Sequence, residues 1–358
     1  MLKPHFNRTL FFVGIVLFSF LSSCKETPPD IIIKKDPAVN NSDTFMLKLS
    51  SEMPELRVPA DNPLTKAGVS LGKFLFFDPI LSGNNKQACG DCHNQGDAFT
   101  DNNKKFSEGI KSKLGNRNSM PIFNLMWADN LFWDGRAKTL RELATMPIEN
   151  PLEMDARIPD VLVKLNGSGL YKDKFKKAFG VDTITKLELS KALEQFLLTI
   201  VSDNSKFDRV NLGLERFTAS EQAGFDDMKI KGCFACHKGT LLHDNSFHNI
   251  GLDLSFSDNG LGDFTKKITD NGKFKTASLR NVAQSAPYMH DGRFATLLEV
   301  IDFYDNDIKI NSPNISETEM NVIRRNKLSA EQKKDIIAFL KTLTDDKYLS
   351  NSDYKTPF

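Results

Sequence analysis

Cys89-Gly90-Asp91-Cys92-His93 and Cys233-Phe234-Ala235-Cys236-His237 decide how this chain is read. Each is a Cys-x-x-Cys pair followed at once by a histidine, the pattern of c-type haem attachment. The spacing has a chemical reason. Two thiols one helical turn apart can each form a thioether to one vinyl group of the same porphyrin. The adjacent imidazole then reaches the iron as its proximal ligand. A zinc ribbon also uses two such pairs, but about 15–20 residues apart, far closer than here. Two local disulfides would suit an exported protein, yet they leave both histidines unexplained. The pattern predicts two covalent haem c groups, one on Cys89, Cys92 and His93 and one on Cys233, Cys236 and His237.

The chain has five cysteines, and the fifth, Cys24, closes a different signal. Lys3 and Arg8 precede an almost wholly apolar run over residues 10–21, and Leu21-Ser22-Ser23-Cys24 follows. A basic start, an apolar run and small residues before a cleavage point make a secretory signal. The run is short for a membrane span. Leu-Ser-Ser-Cys resembles a bacterial lipobox, whose cysteine becomes the lipidated first residue. The expectation is a lipoprotein-type signal over 1–23 and a tether over 24–55, where Pro28, Pro29 and a polar run interrupt any core pattern. An uncleaved anchor helix is the alternative. Either way the folded part is exported to the periplasmic side, with membrane contact through its anchor. A net charge of +1 with no large basic block excludes nucleic acid as a partner.

An internal repeat organises the rest. Arg117-Asn118 and then Trp133-Asp134-Gly135-Arg136-Ala137-Lys138-Thr139-Leu140 follow the first haem motif. Arg280-Asn281 and then His290-Asp291-Gly292-Arg293-Phe294-Ala295-Thr296-Leu297 follow the second. The fold class predicted is mainly α, with two cytochrome c-like haem domains related by this repeat, over 56–208 and 209–348. Helices are expected over 62–77 and 187–201. Thr218 and Glu221 form a capping box, and Ser329 caps a final helix with Ile336, Ile337, Phe339, Leu340 and Leu343 on its apolar face. No long alternating strand pattern is present.

The repeat also predicts two unlike irons. Tyr304 follows Gly292 by the same interval as Pro147 follows Gly135. A tyrosinate can bind ferric iron; a proline side chain offers no donor. The second haem would be closed by His237 and Tyr304, with Met289 as the rival ligand, and the first would have an open face. Of the six histidines, His243, His248 and His290 remain after the signal and the two motifs, and none is near the first motif in sequence.

These residues resemble the bacterial diheme cytochrome c peroxidases and, more closely, the branch containing the methylamine-utilisation diheme oxidase, MauG. The likeness runs from about Asn62 to Leu343. It rests on residues 71–78, both haem motifs, Arg117-Asn118, Phe132 to Arg136, Glu153-Met154 and Ala286 to His290. The resemblance implies that Glu153 is the distal acid–base of the peroxidatic haem and that Trp133 lies between the haems. It implies a calcium ion bound by Asn118 with Ser285 and Pro287, hard oxygen ligands of the kind calcium takes. Many peroxidases of this family carry a histidine on the loop before Arg-Asn; residues 106–111 here have none. Tyr304 stands where typical peroxidases have a methionine. Both departures point to the oxidase branch.

The expected activity is reduction of hydrogen peroxide to water with electrons from a small redox protein, a cytochrome c or a copper protein. The alternative is a MauG-like oxidase that uses peroxide-derived high-valent iron to oxidise a protein or other substrate. A non-catalytic electron carrier would instead have two closed haems. A homodimer is among the expected assemblies.

Overall fold

In a computed structural model of the chain, the structure describes residues 32–34, 43–101, 103–323 and 327–358. The expected signal and Cys24 lie outside them. Residues 31–358 form one compact unit, largely helical, with strands of only two or three residues. Among the described residues no helix is long and apolar enough to cross a membrane.

The helices form where the sequence caps them. Thr65 accepts from the Gly68 N–H and starts Lys66–Phe77; the helix therefore opens later than expected. Thr185 and Glu188 cap each other at the start of Lys186–Thr199. These two helices pack closely because Gly72 has no side chain: a Cβ there would sit 1.9 Å from the Ala192 carbonyl oxygen. In the second half Thr218–Glu221 and Ser329–Gln332 capping boxes open Ala219–Ile230 and Ala330–Lys341. Gly224 does there what Gly72 does in the first pair, with a Cβ placed 2.0 Å from the Asp335 carbonyl oxygen. Ala330–Lys341 is not the last helix, since Asp346–Ser350 follows it.

Two apolar clusters result. One gathers residues from Leu47 to Val201 together with Tyr348 and Tyr354; the other runs from Phe207 to Leu343. The first cluster corrects the tether expected over 24–55. Leu47, Leu49 and Met53 are buried in it at 7%, 2% and 3% exposure, and Ile32–Lys34 pairs antiparallel with Leu47–Leu49. Alternating Leu47 and Leu49 bury one face of a short strand, a signal too brief to stand out from a polar run.

The backbone also revises one correspondence between the halves. Asn124 and Asn281 both adopt left-handed φ, 54° and 55°, and each opens a 3-10 turn. Both reach Ser202, Asn124 donating to its carbonyl and Asn281 to its hydroxyl, each at 3.0 Å. The counterpart of Asn281 in this geometry is Asn124, in the same register as Gly135 and Gly292, and not Asn118.

Candidate active site

The four described cysteines are free thiols, which removes the local-disulfide reading. Cys89–Cys92 forms one helical turn and Cys233–Ala235 a 3-10 turn, so each pair presents both sulfurs from one short segment. Cys89, Cys92 and His93 line one cavity; Cys233, Cys236 and His237 line another. His93 Nδ1 lies 2.7 Å from the Phe99 carbonyl oxygen and His237 Nδ1 lies 3.1 Å from that of Ala277. A carbonyl can only accept, so each Nδ1 carries the proton and each Nε2 keeps its lone pair for a metal. Burial lowers both histidine pKa values and favours the neutral, ligating form. The residues present therefore fit two covalent haems.

The two cavities differ in their remaining lining residues. Pro147, Asn150, Glu153 and Arg136 line the first. Pro147 sits in the last turn of Leu140–Glu149, opened by a Thr139–Glu142 capping box. Glu153 is carried just past that helix, where Asn150 Nδ2 donates to its Oε1 at 2.6 Å. Burial raises the Glu153 pKa, opposed by the Asn150 hydrogen bond and the Arg136 charge. Tyr304, His290, Met289 and His248 line the second cavity. Tyr304 lies in a π-helical turn, Phe303–Asp307, that continues Leu297–Asp302. Such turns recur at functional positions because they re-aim a side chain without breaking the helix. Thr296 and Glu299 cap that helix just as Thr139 and Glu142 cap the other.

Trp133 lines both cavities, as do Asn118 and Lys275. The Trp133 indole N–H donates to the Asn118 carbonyl at 2.9 Å, and its own carbonyl accepts from Lys275 N–H at 2.9 Å. Asn118 N–H donates to the His290 carbonyl at 2.7 Å, which draws Asn118 toward the segment carrying Ser285 and Pro287, both lining the second cavity. The Asn118 side-chain NH₂ is shared by the carbonyls of Lys104 and Lys105 at 3.1 and 3.2 Å.

Three residues carry signals the sequence did not give up. His243, from the second half of the chain, lines the first cavity. It accepts the Asn245 N–H on Nδ1 at 3.2 Å, so its proton is on Nε2. Burial, with Lys275 nearby, pushes its pKa down to about 4. A neutral ring with Nε2 protonated is not a metal ligand in this geometry. His248 is held at both nitrogens, by Asp244 at 2.8 Å and Glu319 at 3.0 Å. Cys236, Asp244 and His248 lie close enough to hold a metal ion, but Cys236 is also the second thiol of the Cys-x-x-Cys-His pattern. Asn150 is the third; its three-residue spacing from Glu153 is the signal that could have found it.

Two cavities, each lined by a pair of free thiols and a histidine whose Nδ1 is held by a backbone carbonyl, define a c-type protein for two haems with unlike surroundings. The family model described as di-haem cytochrome c peroxidase matches residues 66–216. The MauG protein of Methylorubrum extorquens is 36% identical, covering 85% of this chain and 86% of that one. Cytochrome c551 peroxidase of Nitrosomonas europaea is 33% identical, with 86% and 88% covered. A crystal structure of a MauG-like protein associated with microbial copper homeostasis superposes with a TM-score of 0.79 at 32% identity, over 86% of this chain and 98% of that one. The chain belongs to the di-haem cytochrome c peroxidase family. It is an oxidoreductase that carries two haem c groups and acts on peroxide together with a redox partner.

Proposed function

We propose that the first haem, on His93, is the site of peroxide reduction, and that the second, on His237 and Tyr304, receives electrons singly from a small cytochrome or copper protein. When bound, haem supplies the iron that holds peroxide and the redox couple that passes electrons. Pro147, in the first cavity, offers no side-chain donor at the position matching Tyr304. Glu153 takes a proton from the near oxygen of peroxide and returns it to the far oxygen as the O–O bond breaks. Two electrons and two protons then complete the conversion to two waters. Trp133, which lines both cavities, is the route between them. The observation that carries this reading is the contrast between Pro147 with Glu153 in one cavity and Tyr304 in the other.

Tyr304 also supports the second reading, oxidation of a protein or other substrate. A tyrosinate stabilises ferric iron and makes the second haem a poorer electron acceptor than one with a methionine. Met289 stays the rival ligand, since it lines the same cavity. Calcium at Asn118, Ser285 and Pro287 belongs to this proposal, as do the lipid anchor at Cys24, periplasmic placement and a homodimer. The internal repeat, with its boundary near 208, belongs to it too; the repeat is supported by the matched Thr139–Glu142 and Thr296–Glu299 caps.

Electron paramagnetic resonance of the fully oxidised holoprotein tests the open site. One high-spin and one low-spin signal are expected, with direct reaction with peroxide before any reduction. Two low-spin signals would overturn the assignment. Steady-state peroxide consumption, with and without a reduced small cytochrome, separates the two readings: acceleration by the cytochrome supports the peroxidase.

A further inference from the structure

We propose that Asn150 is a positioning residue for proton transfer at the first haem, fixing which oxygen of Glu153 faces peroxide and favouring its ionised form. The inference rests on Glu153 being the acid–base group there.

Two contacts fix the Asn150 side-chain amide. Its Oδ1 accepts the Leu152 N–H at 3.0 Å. That oxygen is committed to a donor, so the amide has one orientation and Nδ2 must face Glu153, to which it donates at 2.6 Å. The Asn150 carbonyl accepts from both Glu153 N–H and Asp155 N–H, each at 3.0 Å. The 150–155 turn is thus wound on Asn150, and the Glu153 carbonyl is pinned from the other side by Ile110 N–H at 2.9 Å. With Oε1 taken, Oε2 is the Glu153 oxygen that accepts no hydrogen bond among the described residues, and both side chains line the first cavity.

The electrostatics run in the same direction. Burial raises the Glu153 pKa, against the Asn150 donor and the Arg136 charge. A buried carboxyl left to desolvation alone would hold its proton and could not accept another from peroxide. An N–H aimed at one oxygen stabilises the anion and leaves the second oxygen free to work. Glu108, Arg117, His243 and Lys275 line the same cavity, as does His93 with its Nδ1 turned to the Phe99 carbonyl. Arg117 is paired with Asp134 and Asp258, Lys111 and Asp155 neutralise one another, and Cys89 and Cys92 do not titrate as thioethers.

Asn150 also shapes the turn, so the test must separate positioning from folding. Asn150→Ser keeps a short acceptor for Leu152 N–H but withdraws the donor from Glu153. Asn150→Asp keeps the acceptor in full and is the second variant should the serine protein fail to load haem. In the holoenzyme, the low-pH limb of the rate of peroxide reaction should move up by about one pH unit in Asn150→Ser, and further in Asn150→Asp, where a second carboxylate stands against Glu153. The protonated-carboxyl infrared band that is lost in Glu153→Gln should titrate about one unit higher as well. Adding Asn150→Ser to Glu153→Gln should change nothing further. An unmoved limb and band, in a protein where Glu153→Gln still slows the reaction, would sink the role of Asn150 alone. If Glu153→Gln leaves the rate unaltered, the acid–base assignment itself fails.

Discussion

Glu153 and Gln differ by one proton-accepting oxygen and almost nothing in volume, so Glu153→Gln isolates the chemistry. Removing a general acid–base group costs about 10²–10⁴-fold; stopped-flow mixing with peroxide should show that slowing while the resting spectra of both haems stay as they were. A changed resting spectrum would mean that the residue shapes the haem pocket instead. Tyr304→Met tests the other cavity. Thioether ligation favours the reduced iron more than a tyrosinate does, so the second haem's potential should rise in a spectroelectrochemical titration. No rise would hand the ligand role to Met289, which stands in the same cavity. At this scale the sequence was legible where chemistry is local. Two thiols and a histidine within five residues cannot do their work unless they are adjacent, and the chain writes them adjacently. Glu153 was reached only by resemblance, because a lone glutamate has no pattern. His243 could not be placed at all, since the fold brings it to the first cavity from beyond the second haem motif.

Helices, in contrast, announce their own beginnings. The Thr218–Glu221 box was readable beforehand because it satisfies N–H groups that nothing else can reach. The π-helical turn at Phe303–Asp307 has no such local cause, and the register argument found Tyr304 without showing how the backbone delivers it. Another unseen link joins the short strand Phe247–His248 to the helix Glu317–Ile323, through His248 and Glu319 at 3.0 Å. Cys236, Glu319 and Asp244 pull the His248 pKa up to about 11. In the holoprotein Cys236 is a thioether, and the two carboxylates remain to hold the imidazolium. A histidine whose folded pKa is raised adds stability in full below its unfolded value of about 6.5 and loses it as pH climbs through the folded value. Denaturation of the holoprotein between pH 6 and 10 should therefore show a contribution that fades with rising pH. His248→Gln should lower the unfolding free energy by about 2 kcal/mol at pH 6 and flatten that dependence. Equal slopes for parent and variant would show that the ring is neutral.

The two apolar clusters of the described residues are tied together by residues 345–358. Residues 345–358 follow the second haem segment in sequence but pack on the first apolar cluster, where Tyr348 and Tyr354 are 2% and 7% exposed. Their hydroxyls donate to the carbonyls of Ile122 at 2.9 Å and Thr199 at 2.7 Å. Asp345 sets the angle of return: it accepts from the backbone of Asp203 and Asn204, each at 2.9 Å, while its own N–H donates to Asn281 Oδ1 at 2.8 Å. A boundary near 208, drawn from sequence order, could not register this, because only the folded path shows which half the tail rejoins. The consequence reaches the iron ligand. Phe99 gives its carbonyl to His93 and lays its ring 5.7 Å from Tyr348 and 6.2 Å from Tyr354. A chain ending at residue 347 loses both tyrosines, each contributing about 2 kcal/mol by burial, so its unfolding free energy should fall by about 4 kcal/mol. Loosening Phe99 also frees the His93 ring to tilt. The truncated protein should therefore keep two covalent haems, since the thioethers are untouched, yet show a broadened high-spin signal from the first haem and an unaltered low-spin signal from the second. Changes of equal size in both signals would mean that the tail steadies the molecule as a whole; a change confined to the first would trace the path from chain end to Phe99 to iron.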